Sequence, residues 1–137
     1  MSIDDLQGDE LRGLRILVVD DEPETLEIIA DTLRAAGAEV TEASGAANAL
    51  EQLASGDPQI VLSDLHMPDL DGFELMRRLR ERAHPVTAIA LSASSSADDA
   101  RRALAAGFAV HVAKPIAMVD LVETIRAAAP PPSLRRG

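Results

Sequence analysis

With 137 residues, a formal net charge of -10, two Phe and no Trp, Tyr or Cys, the chain is sized for one domain with an aliphatic core. The acidity argues against unaided binding to nucleic-acid phosphates or anionic membranes, and the missing thiols remove disulfides, thiolate catalysis and Cys-based zinc sites together. No segment approaches the roughly 20 apolar residues of a membrane span, and the N-terminus lacks the basic start and apolar run of a signal peptide, so a soluble, cytoplasmic protein is the expectation.

Residues 1–13 are polar and acidic without a sustained period and read as a flexible lead-in. The domain proper is expected over 14–129, followed by a Pro/Arg tail at 130–137. Arg15–Val19 is a continuous apolar run closed by Asp20-Asp21, the pattern of a parallel strand covered on both faces. Pro23 suits a helix start, Leu26, Ile29, Ala30 and Leu33 form its apolar stripe, and Gly37 stops it.

Ala38–Ala43 is a short strand whose Glu39, Thr41 and Glu42 suggest a sheet edge. Ser44 or Gly45 opens a helix with Ala46, Ala49, Leu50 and Leu53 inward, stopped by Gly56 and Pro58. Ile60-Val61-Leu62 leads to Asp64 and a Pro/Asp/Gly-rich turn. Asp71 is a candidate cap for a helix carrying Phe73, Leu75, Met76 and Leu79, which His84-Pro85 breaks. Val86–Leu91 is a fourth strand ending at Ser92-Ala93. After Ser94–Ser96, an Ala-rich helix spans about 97–106 with Gly107 as its stop. Ala109–Ala113 ends at Lys114-Pro115, and a last helix places Met118, Leu121, Val122 and Ile125 on one face before Pro130. Strands alternating with helices five times over predict an α/β fold with a parallel sheet and right-handed crossovers.

The polar residues fall at the strand ends. Asp20-Asp21, Asp64, Ser92 and Lys114 close the first, third, fourth and fifth strands, and in a parallel sheet all C-terminal ends share one rim. Any one of these Asp residues alone is as readily a turn or cap residue, and a lone Lys114 is a solvated surface lysine. Together they form a set. Three clustered carboxylates repel one another unless a cation neutralises them, and an all-oxygen site with room for water suits Mg2+, with Mn2+ as an alternative. Lys114 supplies a point charge for a phosphoryl oxygen and Ser92 a hydroxyl. The backbone amides of Leu65 and Ala93 are placed to complete the clamp. These parts compose a phosphoryl-transfer site with a carboxylate nucleophile.

The ordered set Asp20-Asp21, Asp64 with Met67-Pro68 and Asp71-Gly72, Ser92-Ala93 and Lys114-Pro115 resembles the receiver domain of bacterial response regulators over roughly residues 14–128. That resemblance, not periodicity, implies a doubly wound, flavodoxin-like (βα)5 fold with strand order 2-1-3-4-5. It implies Asp64 as phosphoacceptor, Asp21 as a direct Mg2+ ligand, Asp20 acting through water, and the backbone carbonyl of His66 as a further ligand. Lys114 would pair with the phosphoryl group, and Ser92 occupies the switch-hydroxyl position. Three residues before the lysine, where Tyr or Phe is frequent, stands His111. An imidazole there does not carry the aromatic argument over cleanly, and it offers a group that titrates in the physiological range; a packed or surface-exposed imidazole is the plainer reading.

The same resemblance implies a histidine kinase or histidine-phosphotransfer domain as donor and a switching surface of the fourth helix, fifth strand and fifth helix. It implies chemistry confined to the domain's own aspartate, so the chain is not an enzyme in the usual sense, and a monomer or weak phosphorylation-dependent dimer without direct nucleic-acid contact. Within the family, Leu14–Glu22, Arg101–Phe108 and Val110–Ile116 look similar to receivers of hybrid histidine kinases rather than to the Asp-Asp-Tyr and Lys-Pro-Phe pattern of winged-helix regulators. Two other functions compete. An interaction module that never uses phosphate is disfavoured because no member of the site is missing. An aspartyl-intermediate hydrolase lacks a further catalytic acid and a cap domain. Phe73 and Phe108 are expected to pack, His66 and His84 to lie in loops, and the Arg77-Arg78 and Arg101-Arg102 pairs to be solvated.

Overall fold

The computed structural model describes residues 8–67, 72–81, 86–92 and 97–129. Among them the elements run β1 Arg15–Val19, α1 Pro23–Ala35, β2 Glu39–Ala43, α2 Ala46–Ser55, β3 Ile60–Asp64, α3 Gly72–Leu79, β4 Thr87–Ser92, α4 Ala97–Ala106, β5 Val110–Ala113 and α5 Met118–Ala128. The strands form one parallel sheet in the order β2-β1-β3-β4-β5. The expected fold is therefore found, with β2 at an edge and strand ends shifted by a residue. Asp71, His84-Pro85, Ala93, Ser94–Ser96 and the tail lie outside the described residues.

Alternation along each strand explains the two cores. One face of the sheet carries Ile16, Val18, Ile60, Leu62, Ile89 and Leu91 and is covered by α1 (Leu26, Ile29, Leu33) and α5 (Leu121, Val122, Ile125). The other carries Leu17, Val19, Val61, Ala88 and Ala90 under α2 (Ala46, Ala49, Leu53), α3 (Leu75, Met76, Leu79) and Ala103 of α4. Central strands buried on both faces need the unbroken apolar runs seen in the sequence, and each buried Leu, Ile or Val stabilises the fold by about 1.5–3 kcal/mol. The helices are unequally held. α4 buries Ala103 alone, whereas α5 buries four residues. α4 is thus the helix whose displacement exposes least apolar surface.

Part of the presumed lead-in belongs to this packed body. Leu11 and Leu14 are fully buried, and the Leu11 N–H donates to Ala36 O at 2.8 Å. A domain start at 14 leaves out Leu11, because two leucines three apart in an acidic stretch carry too little period to stand out. Leu50 and Phe73, expected inside, are half-buried at the margins of the second core. Gly37 (φ 100°) does end α1 in the left-handed region that favours glycine.

Gly72 sets the depth of α3 against β3. Its N–H donates to Leu65 O at 2.8 Å, and a Cβ built on it would lie 2.6 Å from Asp64 O and 2.9 Å from Leu65 Cα. These obstacles are backbone and cannot rotate away, so Gly72→Ala must move α3 or the end of β3. We expect a destabilisation of about 1–3 kcal/mol in urea unfolding; an unchanged midpoint would show that the close approach is slack.

Candidate functional site

β1, β3, β4 and β5 deliver their C-terminal residues to one rim because the ladders keep register to the end. Val19 pairs with Ser63, Asp64 with Leu91, and Ser92 with Ala113. Past the strands, Asp20 N donates to Ala43 O (3.1 Å) and Lys114 N to Ser92 O (2.7 Å), so both residues are fixed by backbone bonds. The Lys114–Pro115 peptide is cis.

On that rim, carboxylate oxygens of Asp20, Asp21 and Asp64 lie within 4.8 Å of one another. Lys114 Nζ reaches Asp20 Oδ2 at 2.8 Å and Asp64 Oδ2 at 3.4 Å. The second oxygens are held by main chain. Glu22 N donates to Asp20 Oδ1 (2.9 Å), and His66 N to Asp64 Oδ1 (3.2 Å). Asp20 and Asp64 are buried and Asp21 is exposed. Of the two neighbouring carboxylates that follow β1, the open one is therefore Asp21.

Three carboxylates against one ammonium leave two formal negative charges at the rim. The residues fit a divalent cation on that count and on donor type, since all are hard oxygens.

Burial alone would lower the Lys114 ammonium. The hydrogen bond and charge of Asp20, with the charge of Asp64 beside it, outweigh burial and hold it above the ordinary lysine value. A group whose folded pKa is raised contributes its stability in full below the unfolded pKa and loses it as pH rises through the folded one. The Lys114 contribution is thus constant through neutral pH and lost only in alkali.

Ser92 is fully buried at the end of β4 and Ser63 beneath the site, where its hydroxyl donates to Asp64 O at 2.9 Å. His111 pairs in register with Ala90, two residues before Ser92, so alternation puts His111 and Ser92 on the same sheet face. Its Nε2 is buried, and it makes no hydrogen bond among the described residues. Of the two amides expected to meet a phosphoryl group, that of Leu65 is already engaged. It donates to Leu91 O at 3.0 Å, extending the β3–β4 ladder by one bond. The amide that faces the Asp64 carboxylate is instead that of His66. Ala93 is outside the described residues.

Two neighbours, Ser63 and Asp99, carried no signal in the sequence, and Gly72 entered only within the Asp71-Gly72 pair. His66 is an exposed loop residue as expected, yet its Nε2 lies 3.3 Å from Asp99 Oδ2 on α4. Phe108 packs in the core. Arg77 and Arg101 pair with Glu74, Glu81 and Asp98 at the surface.

The site geometry yields one direct test. A 13Cε NMR titration of Lys114 should give a midpoint above 10.5, and Asp20→Asn should lower it; a midpoint below 10.5 in the wild type would mean that burial outweighs the two carboxylates.

A family model described as "Response regulator receiver domain" matches residues 16–126. A curated 14.6 kDa protein of Leptolyngbya boryana is 38% identical over 118 residues, covering 85% of this chain and 90% of that protein. The transcriptional regulatory protein PrrA of Mycobacterium bovis is 36% identical over 113 residues (82% and 48%). The sensor histidine kinase RcsC of Salmonella typhi is 31% identical over 121 residues, 88% of this chain but 13% of the kinase. The chain thus spans about half of PrrA and a small part of RcsC, and relatives occur in both kinases and transcriptional regulators. Among solved structures, the response regulator TrrA of Thermotoga maritima, in complex with Mg(2+)-BeF, superposes with a TM-score of 0.75 at 30% identity, covering 84% of this chain and 98% of that one. Rim, fold and relatives converge: the chain belongs to the response regulator receiver domain family.

Proposed function

We propose that this chain is a phosphorylation-dependent switch that accepts a phosphoryl group on Asp64 in a Mg2+-dependent reaction. The observation that carries it is the placement of Asp64 between Lys114 and the His66 amide, with Asp20 and Asp21 alongside. Asp21, Asp64 and the His66 carbonyl would hold the ion, with Asp20 behind a water. That reading is supported by burial, since Asp20 lies beneath the rim with Lys114 2.8 Å away while Asp21 is exposed. When bound, Mg2+ supplies charge neutralisation for the phosphoryl oxygens.

The remaining work falls to the chain. An Asp64 oxygen attacks phosphorus in line, the P–N bond of a donor phosphohistidine breaks, and the imidazole leaves with the electron pair. Lys114 and the His66 amide balance the charge on the phosphoryl group, and Ser92 donates to one of its oxygens. A shallow apolar hollow of about 230 Å³ beside Lys114 is lined by Thr25, Ile28, Ile29, Pro115, Ile116 and Met118. Exposed Ile28 in that hollow gives a histidine kinase or phosphotransfer domain an apolar seat within reach of Asp64. The switch runs through Ser92 and His111 to α4, whose single buried residue makes it the readiest element to shift, and which carries an exposed Leu104. Hydrolysis of the acyl phosphate resets the domain, which turns over no external metabolite. Mn2+ should substitute for Mg2+.

Incubation with acetyl phosphate and Mg2+ should add one base-labile phosphoryl group to the wild type by intact mass, and none to Asp64→Asn or without divalent cation. A wild type that neither gains the adduct nor binds beryllofluoride would exclude the proposal.

A further inference from the structure

The β3–α3 loop is tied to α4 by contacts that bypass Ser92 and His111. His66 Nε2 lies 3.3 Å from Asp99 Oδ2, and Asp99 sits in the first turn of α4. Arg102, one turn on, faces the other oxygen, with Nη1 3.8 Å from Asp99 Oδ1. The guanidinium carbon of Arg102 stands 4.3 Å from the centre of the Phe73 ring on α3, and the same ring takes the His66 imidazole edge-on at 6.4 Å. Loop, α3 and α4 therefore share one interlocked set of side chains.

An isolated pair this exposed contributes little, because holding two side chains in register costs entropy. Here that cost is reduced. The Asp99 side chain is only 15% exposed, and Arg102, stacked on Phe73, faces the oxygen that His66 does not. The imidazole thus meets a carboxylate already held in place. Residue 66 matters for its main chain: its N–H is 3.2 Å from Asp64 Oδ1. A side chain anchored to α4 fixes the backbone that faces the acceptor carboxylate.

We propose that Asp99 is a positioning residue for the acceptor loop: through the His66 imidazole it holds residue 66 at the Asp64 carboxylate and couples α4 directly to the occupancy of the site. The proposal rests on the reading of the Asp20–Asp21–Asp64 cluster as a Mg2+ site. It needs no change of protonation, since a neutral imidazole with the proton on Nε2 donates to the carboxylate. By linkage, whatever the contact adds to cation binding, cation binding returns to the contact and to the first turn of α4.

The chain has no Trp or Tyr, so the test is a Mg2+ titration followed by 1H–15N NMR. It uses wild type, Asp99→Ala, His66→Ala, the double variant and Asp99→Asn, each first checked for a folded spectrum. Asp99→Ala and His66→Ala should each weaken Mg2+ binding about three- to tenfold, the loss of one hydrogen bond's net contribution. The double variant should be no weaker than the weaker single, because both remove the same contact. Asp99→Asn, which keeps an acceptor oxygen, should retain wild-type affinity within about twofold. Saturating Mg2+ should shift the amides of residues 97–106 in the wild type and Asp99→Asn but not in Asp99→Ala. Unchanged affinity in the single variants, additive losses, or equal α4 shifts in Asp99→Ala would overturn the coupling while leaving the Mg2+ site standing. A folded wild type that binds no Mg2+ would overturn the site reading and this proposal together.

Discussion

The ammonium of Lys114, held 2.8 Å from Asp20 and 3.4 Å from Asp64, is the contact on which the rim depends. It brings together two carboxylates from neighbouring strands that would otherwise repel at short range, and it does so from a third strand end. One positive charge against three negative ones leaves the cluster short of two. That deficit is what the proposed divalent cation would neutralise, and the proposed phosphoryl group would then draw on both cation and lysine.

The rest of the fold serves this geometry. Parallel pairing puts the four contributing strand ends on one side, and backbone bonds from Asp20 and Lys114 to adjacent strands carry the ladder one residue further. Gly72 lets α3 approach the backbone of Asp64 and Leu65 directly. The apolar mass is unevenly spent: α1 and α5 are deeply packed, while α4 is held by Ala103 and by polar contacts at its start. A rigid rim beside a lightly held helix is the arrangement a local charge can act on. The buried Nε2 of His111, without a hydrogen bond among the described residues, lies on the sheet face shared with Ser92.

What was legible in the sequence were features with a local signature. Apolar runs ending in Asp20-Asp21, Asp64 and Ser92 announced buried parallel strands, the half-buried run to Lys114 completed their shared rim, and Gly37 and Gly107 marked helix ends that the structure confirms. Features that depend on register or on distant contacts were not. The Leu65 amide looked available because nothing local says that β3 pairs with β4 one residue past Asp64. Leu11 looked like linker because its partner is the far end of α1, and Asp99 drew no notice because its partner, His66, is 33 positions away. A doublet such as Arg101-Arg102 hides a division of labour: Arg101 pairs with Asp98 in solvent, while Arg102 stacks on Phe73.

The charge deficit is most directly tested by thermal unfolding against Mg2+ concentration, with NaCl controls at matched ionic strength. A ligand that binds only the folded state stabilises it by RT ln(1 + [L]/Kd), about 1.4 kcal/mol at ten times Kd. The account predicts a saturable rise in midpoint for the wild type with Mg2+ and not with NaCl, largely abolished by Asp21→Asn. Equal stabilisation by NaCl, or a Mg2+ response that survives Asp21→Asn intact, would contradict it.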